Sequence, residues 1–233
     1  MTDSDLKGWT IIFDLDGTLV DTAPDLHRAL NHCLVKAGYA EVPFDVIDSL
    51  IGHGAKAMIV EGLASQGITL DEAEIEPVWS SFLDFYRQHI CDLSRPYDGV
   101  EKALQNLSER GAQFAVCTNK TQDLAIRVLD GLELSRWFEA VRGADAVAQK
   151  KPDGGHILET LDAAGGHLEK SIMIGDSQTD ERAARNAGLP FIFVSFGYGP
   201  APEMSADKTA ASFAELPALI RELALRPPQP SRR

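Results

Sequence analysis

Four short apolar runs, rich in β-branched and aromatic residues, recur along this chain, and a segment with helical spacing follows each of them. Such runs are typical of buried strands, and here they are Ile11–Phe13, Gln113–Thr118, Ser171–Gly175 and Phe191–Ser195. Strands that alternate with helices are joined by right-handed crossovers and pair in parallel, so that helices cover both faces of the sheet. The pattern therefore predicts an α/β fold with a Rossmann-like, doubly wound parallel sheet.

The helical spacing in the second half of the chain predicts the elements between these strands. A further short strand is expected near Glu139–Arg142, and the Pro-rich segment 226–233 at the end of the chain is expected to fray. The predicted helices are Asp98–Arg110, Leu124–Leu132, Asp153–Ala164, Thr179–Ala187 and Phe213–Leu225.

Between the first and second strands the sequence contains only helical patterning. Helices are predicted over Thr22–Gly38, Phe44–Leu50, Ala55–Gln66 and about 71–90. The last of these presents Trp79, Phe82, Phe85 and Tyr86 at helical spacing, which indicates helix-on-helix packing. We therefore predict an inserted all-helical cap domain over 21–94, a Rossmann-like core over 1–20 and 95–226, and a disordered tail over 227–233.

The composition limits which kinds of molecule we expect the chain to bind. The formal net charge of -13 argues against nucleic-acid binding, which needs a basic face, and means that an anionic substrate must meet local positive charge. No apolar run is long enough to span a membrane, and the first residues lack the features of a signal peptide. The three cysteines show neither CxxC nor zinc spacing. We expect a reduced, cytoplasmic protein without nucleic-acid or membrane partners.

Polar residues follow the predicted strands at the points where the strands end. Ligands of open α/β sheets bind beyond the carboxyl ends of the strands, so these residues should converge there. Asp14 and Asp16 are spaced i and i+2, which is costly without a cation or a proton to share, because like charges repel. The other candidates are Thr118, Asn119, Asp176, Asp180, Lys150 and Lys151.

Together these groups would form an acidic cluster beside donors suited to an anion. Several converging carboxylates favour a hard divalent cation, and Mg²⁺ typically uses few carboxylates together with waters and a phosphate oxygen. A hydroxyl, an amide and a compact positive charge, from Thr118, Asn119 and Lys151, suit phosphate oxygens instead.

Each motif alone also has an ordinary structural explanation. Asp14 and Asp16 could be solvated loop residues or helix caps, and Thr118-Asn119 could begin a helix. Lys151 could be a surface charge, and Asp176 a turn residue. A functional site is favoured because all of these groups occur together, most of them directly after a predicted strand.

The set resembles the four motifs of the haloacid dehalogenase (HAD) superfamily, in that family's order and over nearly the whole chain. The helical insertion is similar to its C1 cap, and Arg95–Val100 and Ile51–Gly54 resemble the phosphoglycolate phosphatase branch. The motifs are Asp14-Leu15-Asp16-Gly17-Thr18-Leu19, Thr118-Asn119, Lys151-Pro152 and Gly175-Asp176-Ser177-Gln178-Thr179-Asp180.

The resemblance implies that Asp14 is a nucleophile that forms an aspartyl-phosphate. It implies that Asp16 protonates the leaving oxygen and then deprotonates water. Mg²⁺ would be held by the Asp14 carboxylate, the Asp16 backbone carbonyl and Asp176. True dehalogenases generally lack an aspartate at the second position, because a halide leaves without protonation. Asp16 therefore indicates phosphoryl transfer.

The remaining motif residues are implied to bind the phosphoryl group. Thr118 and the Asn119 backbone amide would contact its oxygens, and Lys151 would offset the negative charge of the nucleophile and the phosphate. Asp180 would orient Lys151 or a metal-bound water. The third motif departs from the family in continuing to Asp153 rather than to a second proline.

The expected activity is Mg²⁺-dependent hydrolysis of a small phosphomonoester, with phosphoglycolate as the leading substrate. The alternatives are β-phosphoglucomutase-like transfer, pyrophosphatase or nucleotidase activity, and a catalytically silent binding module. Roles for His53, Lys56 and Arg95 stay open, with structure or solvent favoured for each. The choice between monomer and dimer also stays open.

Overall fold

The computed structural model describes residues 4–45, 51, 54–200 and 206–225. Six strands form a sheet in the order β5-β4-β1-β6-β7-β8, and all its pairs are parallel. The order extends from β1 in both directions, so the prediction of a doubly wound parallel sheet is confirmed. The strands are β1 (Thr10–Phe13), β4 (Gln113–Cys117), β5 (Phe138–Arg142), β6 (Ser171–Gly175), β7 (Phe191–Val194) and β8 (Lys208–Ala210).

Two further strands, β2 (Val20–Asp21) and β3 (Arg95–Pro96), pair in an antiparallel ribbon where the chain leaves and re-enters the core. Neither these strands nor β8 was expected from the sequence. Ribbon strands of two residues are too short to show periodicity. β8 lies at the edge of the sheet and has only its last residue, Ala210, buried, so it contains no apolar run.

The described helices match the predicted ones to within a few residues. The predicted helix at Phe44–Leu50 lies mostly outside the described residues, and Phe44 and Asp45 form a short 3₁₀ segment. The predicted final helix starts as a 3₁₀ turn at Phe213–Glu215. The helices are α1 (Ala23–Lys36), α2 (Ala55–Ala64), α3 (Glu72–Gln88), α4 (Val100–Glu109), α5 (Gln122–Gly131), α6 (Gly154–Ala163), α7 (Gln178–Ala187) and α8 (Leu216–Ala224).

Successive side chains of β1 pack on opposite faces of the sheet, as the pleat of a strand requires. Ile11 and Phe13 join the apolar cluster formed with α4, α5 and α8, whereas Ile12 joins the cluster formed with α6 and α7. Because both faces of β1 are covered, its run is apolar throughout, and the charged residues begin only where the strand ends.

The segment 21–94, called the cap below, has a separate apolar cluster. Helices α1, α2 and α3 contribute Leu30, Ile59, Phe82 and Tyr86, all of them fully buried. The capping box between Asp71 and Glu74 fixes the start of α3. Among the described residues, no helix is both long enough and apolar enough to cross a bilayer.

Candidate active site

The carboxyl edge of the sheet gathers the predicted site residues. Asp14 and Asp16 follow β1, Thr118 follows β4, and Asp176 follows β6, while Lys151 reaches the same point from the loop before α6. All of these side chains except that of Asp16 belong to buried residues. The convergence expected from strand ends is therefore present in the structure.

Three carboxylates form what we call the acidic cluster: Asp14, Asp176 and Asp180. One carboxylate oxygen from each lies within 4.8 Å of the others, and all three residues are buried. Asp176 accepts hydrogen bonds from Thr18 Oγ1 at 3.0 Å and from the Tyr198 backbone N–H at 2.8 Å. These contacts fix its two oxygens on the side facing Asp14.

Burial raises the pKa of Asp14 to about 8, because the neighbouring carboxylates add to the effect of burial and Lys151 offsets only part of it. Burial and Asp180 together raise the pKa of Asp176 to about 6, against the backbone N–H donors that lower it. The raised pKa values show that the charged forms of these buried carboxylates are destabilised, and that Lys151 does not fully compensate their negative charge. Hard oxygen donors short of positive charge fit a divalent cation such as Mg²⁺.

Lys151 supplies the single buried positive charge in direct contact with the acidic cluster among the described residues. Its side chain is 1% exposed, and its Nζ lies 2.6 Å from Asp180 Oδ1 and 3.0 Å from Asp14 Oδ1. Burial alone lowers the pKa of Lys151, but the two carboxylates raise it further, so the net pKa lies above the usual lysine range. The ammonium therefore stays protonated beside Asp14.

Asp180 does two things at once because its two oxygens face different partners. Oδ2 accepts from the backbone N–H and the hydroxyl of Ser177, which completes a capping box at the start of α7. Oδ1 accepts from Lys151. The position of Lys151 is thus fixed by the helix that begins at the fourth motif.

Asp16 points away from the acidic cluster. Its carboxylate accepts from Lys120 Nζ at 2.8 and 3.1 Å and from Thr22 Oγ1 at 2.6 Å. The Asp16 side chain is therefore not grouped with those of Asp14, Asp176 and Asp180, although it lines the same cavity as Asp14.

Lys120 was not among the residues singled out from the sequence. Burial by itself lowers the pKa of this lysine, but the Asp16 carboxylate raises it further, and the net pKa lies above the usual lysine range. Its Nζ also lies 5.0 Å from the centroid of the Tyr86 ring, in cation–π geometry. The available signal was its position two residues after Thr118, at the end of a central strand.

Thr118 and Asn119 lie at the end of β4, next to the acidic cluster. Thr118 Oγ1 accepts from the backbone N–H of Lys120 at 3.1 Å, which folds this loop back on itself. The Asn119 side-chain amide donates to the backbone carbonyl of Lys151 at 3.1 Å. The loops of the second and third motifs are thus bonded to each other.

Gly17 allows the loop after β1 to approach Asp176. Its φ of +79° lies in the left-handed region, and a Cβ atom at this position would overlap the Asp176 carboxylate and the Tyr198 ring. The Asp14–Thr18 turn can therefore pack directly on the end of β6. This approach places Thr18 within hydrogen-bond distance of Asp176.

A cavity of about 520 Å³ lies between this edge of the sheet and the cap. Its core side includes Asp14, Asp16, Thr118, Asn119 and Lys120, whereas α3 contributes Trp79, Phe82 and Tyr86 to its cap side. The aromatic residues of α3 were expected to form cap core. Phe82 and Tyr86 belong to that core and also line the cavity.

The other candidates have different places. Lys56 lines the cavity but pairs with Glu72 and Glu76 on the cap side. Arg95 lies in the ribbon and donates to the backbone carbonyls of Ser94 and Asp92. His53 lies outside the described residues. Lys150 is exposed, whereas Lys151 is buried beside Asp14 and Asp180.

The family model of the haloacid dehalogenase-like hydrolases matches residues 11–194. The chain belongs to this family. The matched range includes all four motif positions. This HAD hydrolase is also 47% identical to a phosphoglycolate phosphatase from Agrobacterium fabrum over 215 residues, covering 91% of this chain and 92% of that one. A phosphoglycolate phosphatase from Caulobacter vibrioides is 45% identical, with 91% of each chain covered.

Solved structures agree with the fold of this HAD hydrolase. A predicted phosphoglycolate phosphatase from Haemophilus somnus superposes with a TM-score of 0.84 at 26% identity, covering 92% of this chain and 98% of that one. CbbY from Rhodobacter sphaeroides, crystallised with phosphate, gives a TM-score of 0.74 at 25% identity, with 89% and 95% covered. The family and its curated relatives identify this hydrolase as a phosphatase.

Tyr198 is a second residue of this phosphatase that the sequence analysis missed. Its hydroxyl donates to Asp21 at 2.6 Å and accepts from the backbone N–H groups of Thr22 and Ala23, at the start of α1. Its own backbone N–H donates to Asp176. One residue thus connects the acidic cluster to the first turn of the cap.

Proposed function

We propose that this phosphatase hydrolyses a small phosphomonoester through an aspartyl-phosphate, with Mg²⁺ as cofactor and phosphoglycolate as the leading substrate. The observation that supports this best is the acidic cluster, which is buried beside Lys151 and contributes Asp14 to the lining of the cavity. The curated relatives named phosphoglycolate phosphatase support the choice of substrate.

In this proposal Asp14 attacks phosphorus. Asp14 Oδ1 accepts from the Leu15 backbone N–H at 2.7 Å and from Lys151 at 3.0 Å, so the carboxylate is oriented before the substrate arrives. Fixed orientation removes much of the entropic cost of bringing nucleophile and phosphate together. The Asp14–phosphorus bond forms as the bond from phosphorus to the ester oxygen breaks.

Asp16 is proposed as the acid and base. As the ester bond breaks, its proton passes to the leaving oxygen and gives the free alcohol; the resulting carboxylate then takes a proton from the water that attacks the aspartyl-phosphate. Inorganic phosphate is released and Asp14 is regenerated. Thr22 and Lys120 position the Asp16 carboxylate on the cavity side.

The phosphoryl oxygens are proposed to be bound by Thr118, the Asn119 backbone N–H and Lys151, which together supply a hydroxyl, an amide and a positive charge. The Asp14 carboxylate, the Asp16 backbone carbonyl and Asp176 would hold Mg²⁺, which when bound neutralises negative charge so that an anion can approach. Asp180 would keep Lys151 in place from the opposite side.

We also propose the domain division stated above: a core of 1–20 and 95–226, a cap of 21–94, and a terminal tail of 227–233. The separate apolar cluster of α1–α3 supports the cap. The tail lies outside the described residues. Three unpaired cysteines support a reducing, cytoplasmic location.

The test is phosphate release from a panel of phosphomonoesters, pyrophosphate and nucleotides, with Mg²⁺ present and then with a chelator. We expect release from phosphoglycolate, loss of activity with chelator, and recovery when Mg²⁺ is added back. Interconversion of sugar phosphates with little release would indicate a mutase instead. No turnover of any phosphoester, including a chromogenic one, would leave only the binding-module alternative.

A further inference from the structure

Lys120 is a buried cation that lines the substrate cavity, and the function proposed above uses it only to position Asp16. Its side chain is 5% exposed, and the residue lines the cavity together with Asp16 and Tyr86. A lysine is rarely buried unless its charge is used or paired. Here the pairing is with Asp16, whose proposed task is to exchange a proton during the reaction.

The position of Lys120 relative to Asp16 decides which part of a substrate it would meet. Asp16 must reach the ester oxygen, and Lys120 Nζ lies 2.8 Å from the Asp16 carboxylate. A group attached to the first carbon of the leaving alcohol therefore lies near Lys120 rather than near Lys151. In phosphoglycolate that group is a carboxylate.

The other cations near the cavity each face two carboxylates or water, whereas Lys120 has an ion pair with a single carboxylate, Asp16, among the described residues. Lys56 is held by Glu72 and Glu76, so its charge is already compensated by two carboxylates. Lys150 lines the cavity but is exposed, and water would screen its attraction for an anion. Lys151 is occupied by Asp14 and Asp180.

The aromatic neighbour strengthens the argument for a second anion site. The Tyr86 ring lies 5.0 Å from Lys120 Nζ and is fully buried, so this side of the ammonium faces protein rather than water. In a partly dry site a charged hydrogen bond discriminates more strongly than it does in water. A second anionic group entering here meets a preformed, desolvated donor.

We propose that Lys120 binds the carboxylate of the substrate and thereby selects phosphomonoesters with an anionic group one carbon from the ester oxygen. The proposal rests on the phosphatase function proposed above and names the residue behind its substrate preference. On binding, the ammonium shares its hydrogen bonds between the substrate carboxylate and Asp16, with no covalent change.

The experiment compares phosphoglycolate with ethyl phosphate, which lacks the carboxylate, in the wild type, Lys120→Met and Lys120→Arg. In Lys120→Met we expect the ratio of the two kcat/KM values to fall by about tenfold to a hundredfold, as for a lost charged hydrogen bond. Lys120→Arg should recover part of the ratio. The matched control is Lys56→Met, which removes a different lysine from the same cavity and should leave the ratio within about threefold.

Inhibition tests the same point without turnover. 3-Phosphonopropionate keeps the carboxylate of phosphoglycolate and replaces the ester oxygen by a methylene, and propylphosphonate lacks that carboxylate. We expect Lys120→Met to weaken the first inhibitor by about tenfold or more and the second one less. The rise in Tm on adding Mg²⁺, measured for each variant, shows whether the acidic cluster is intact.

The outcomes separate this proposal from the one on which it rests. Equal losses on phosphoglycolate and ethyl phosphate would mean that Lys120 only positions Asp16, and the proposal would be wrong while the phosphatase function stood. A wild type that hydrolyses neither ester would overturn both. A selective loss on phosphoglycolate, with selective weakening of 3-phosphonopropionate, would support it.

Discussion

On the core side the motif aspartates have buried or main-chain partners, whereas the cap side of the cavity is mostly aromatic and aliphatic. Asp14 is fixed by a backbone N–H, Asp176 by two backbone N–H groups and Thr18, and Asp180 by Ser177. The cap contributes Trp79 and the other apolar groups of α2 and α3, with Lys56 as its lysine.

The core side thus holds the groups proposed for the reaction and Lys120, which we propose selects the substrate, whereas the cap side supplies a mostly apolar wall. Groups that perform chemistry must be held to within fractions of an ångström, and strand ends with main-chain donors achieve this. An apolar wall can exclude water and set size, but it gives little direction to a small, polar substrate. The predictions below test whether the two sides can be changed independently.

The largest effect is expected on the core side. Asp14→Asn keeps the shape of the side chain but removes the nucleophilic charge, so we expect kcat to fall by at least about 10⁴-fold. Steady-state phosphate release measures it, and Asp162→Asn, at an exposed position of α6, is the matched control. Residual turnover within tenfold of the wild type would show that Asp14 is not the nucleophile.

Asp180→Asn should have the next largest effect, because it weakens the hold on Lys151 without touching the nucleophile. We expect kcat to fall by about tenfold to a hundredfold, as for loss of an orienting partner. Ser177→Ala removes the capping hydroxyl and its hydrogen bond to Asp180 but keeps the Ser177 backbone N–H bond to Asp180 and the Asp180–Lys151 ion pair, so it should cost about 1 kcal/mol of stability with a smaller change in kcat. Similar kcat losses in both variants would assign Asp180 a capping role alone.

Tyr198→Phe tests the connection between the two sides. It removes the hydroxyl that contacts Asp21, Thr22 and Ala23 but keeps the backbone N–H that contacts Asp176. Because these three hydrogen bonds lie at the start of α1 and not on Asp14 or Asp176, we expect kcat to fall by only roughly threefold to tenfold, with little change in the Mg²⁺ concentration needed for half-maximal activity. A large change in Mg²⁺ requirement would contradict this separation.

The smallest effect is expected when the pH is changed and the thermal stability of the protein is measured without Mg²⁺. The pKa values of Asp14 and Asp176 are raised in the folded protein, so between about pH 4 and pH 8 the native state holds protons that the unfolded chain has released. Stability should therefore fall as pH rises through this window, by a few degrees in Tm, roughly.

Added Mg²⁺ should reverse this trend, because the cation binds the deprotonated carboxylates and replaces their protons. Thermal melting at pH 5.5 and pH 8.5, with and without Mg²⁺, measures the effect, and Asp176→Asn serves as the control with one fewer acidic ligand. A rise in Tm from Mg²⁺ that is no larger at pH 8.5 than at pH 5.5 would contradict the prediction.

The sheet and the strand-end residues were predictable because they depend on local patterns. β1 and β6 are apolar on both faces, and a run of this kind stops visibly where Asp14 or Asp176 begins. The rule that ligands bind at carboxyl edges then brings the two aspartates together without any knowledge of distances. Asp180 was named as the last residue of the fourth motif, and its place beside Lys151 came from the resemblance.

Side-chain direction was not predictable in the same way. The sequence shows that Asp14 and Asp16 are neighbours, but not that the second carboxylate turns toward Lys120 and Thr22. The contact with Lys120 joins residues that are 104 positions apart in the chain. Tyr198 could have been found, since it follows β7 at the same edge, but its contact with the start of α1 depends on where the cap begins.

The ribbon of β2 and β3 has a consequence for how such a protein can diverge. Because Val20 pairs with Pro96 and Asp21 with Arg95, the two chain segments that connect the cap to the core lie side by side. The entropic cost of closing an inserted loop grows only slowly with its length. A lineage can therefore lengthen, shorten or replace everything between those two pairs while the sheet keeps its register, so that new substrates can evolve above an unchanged reaction centre.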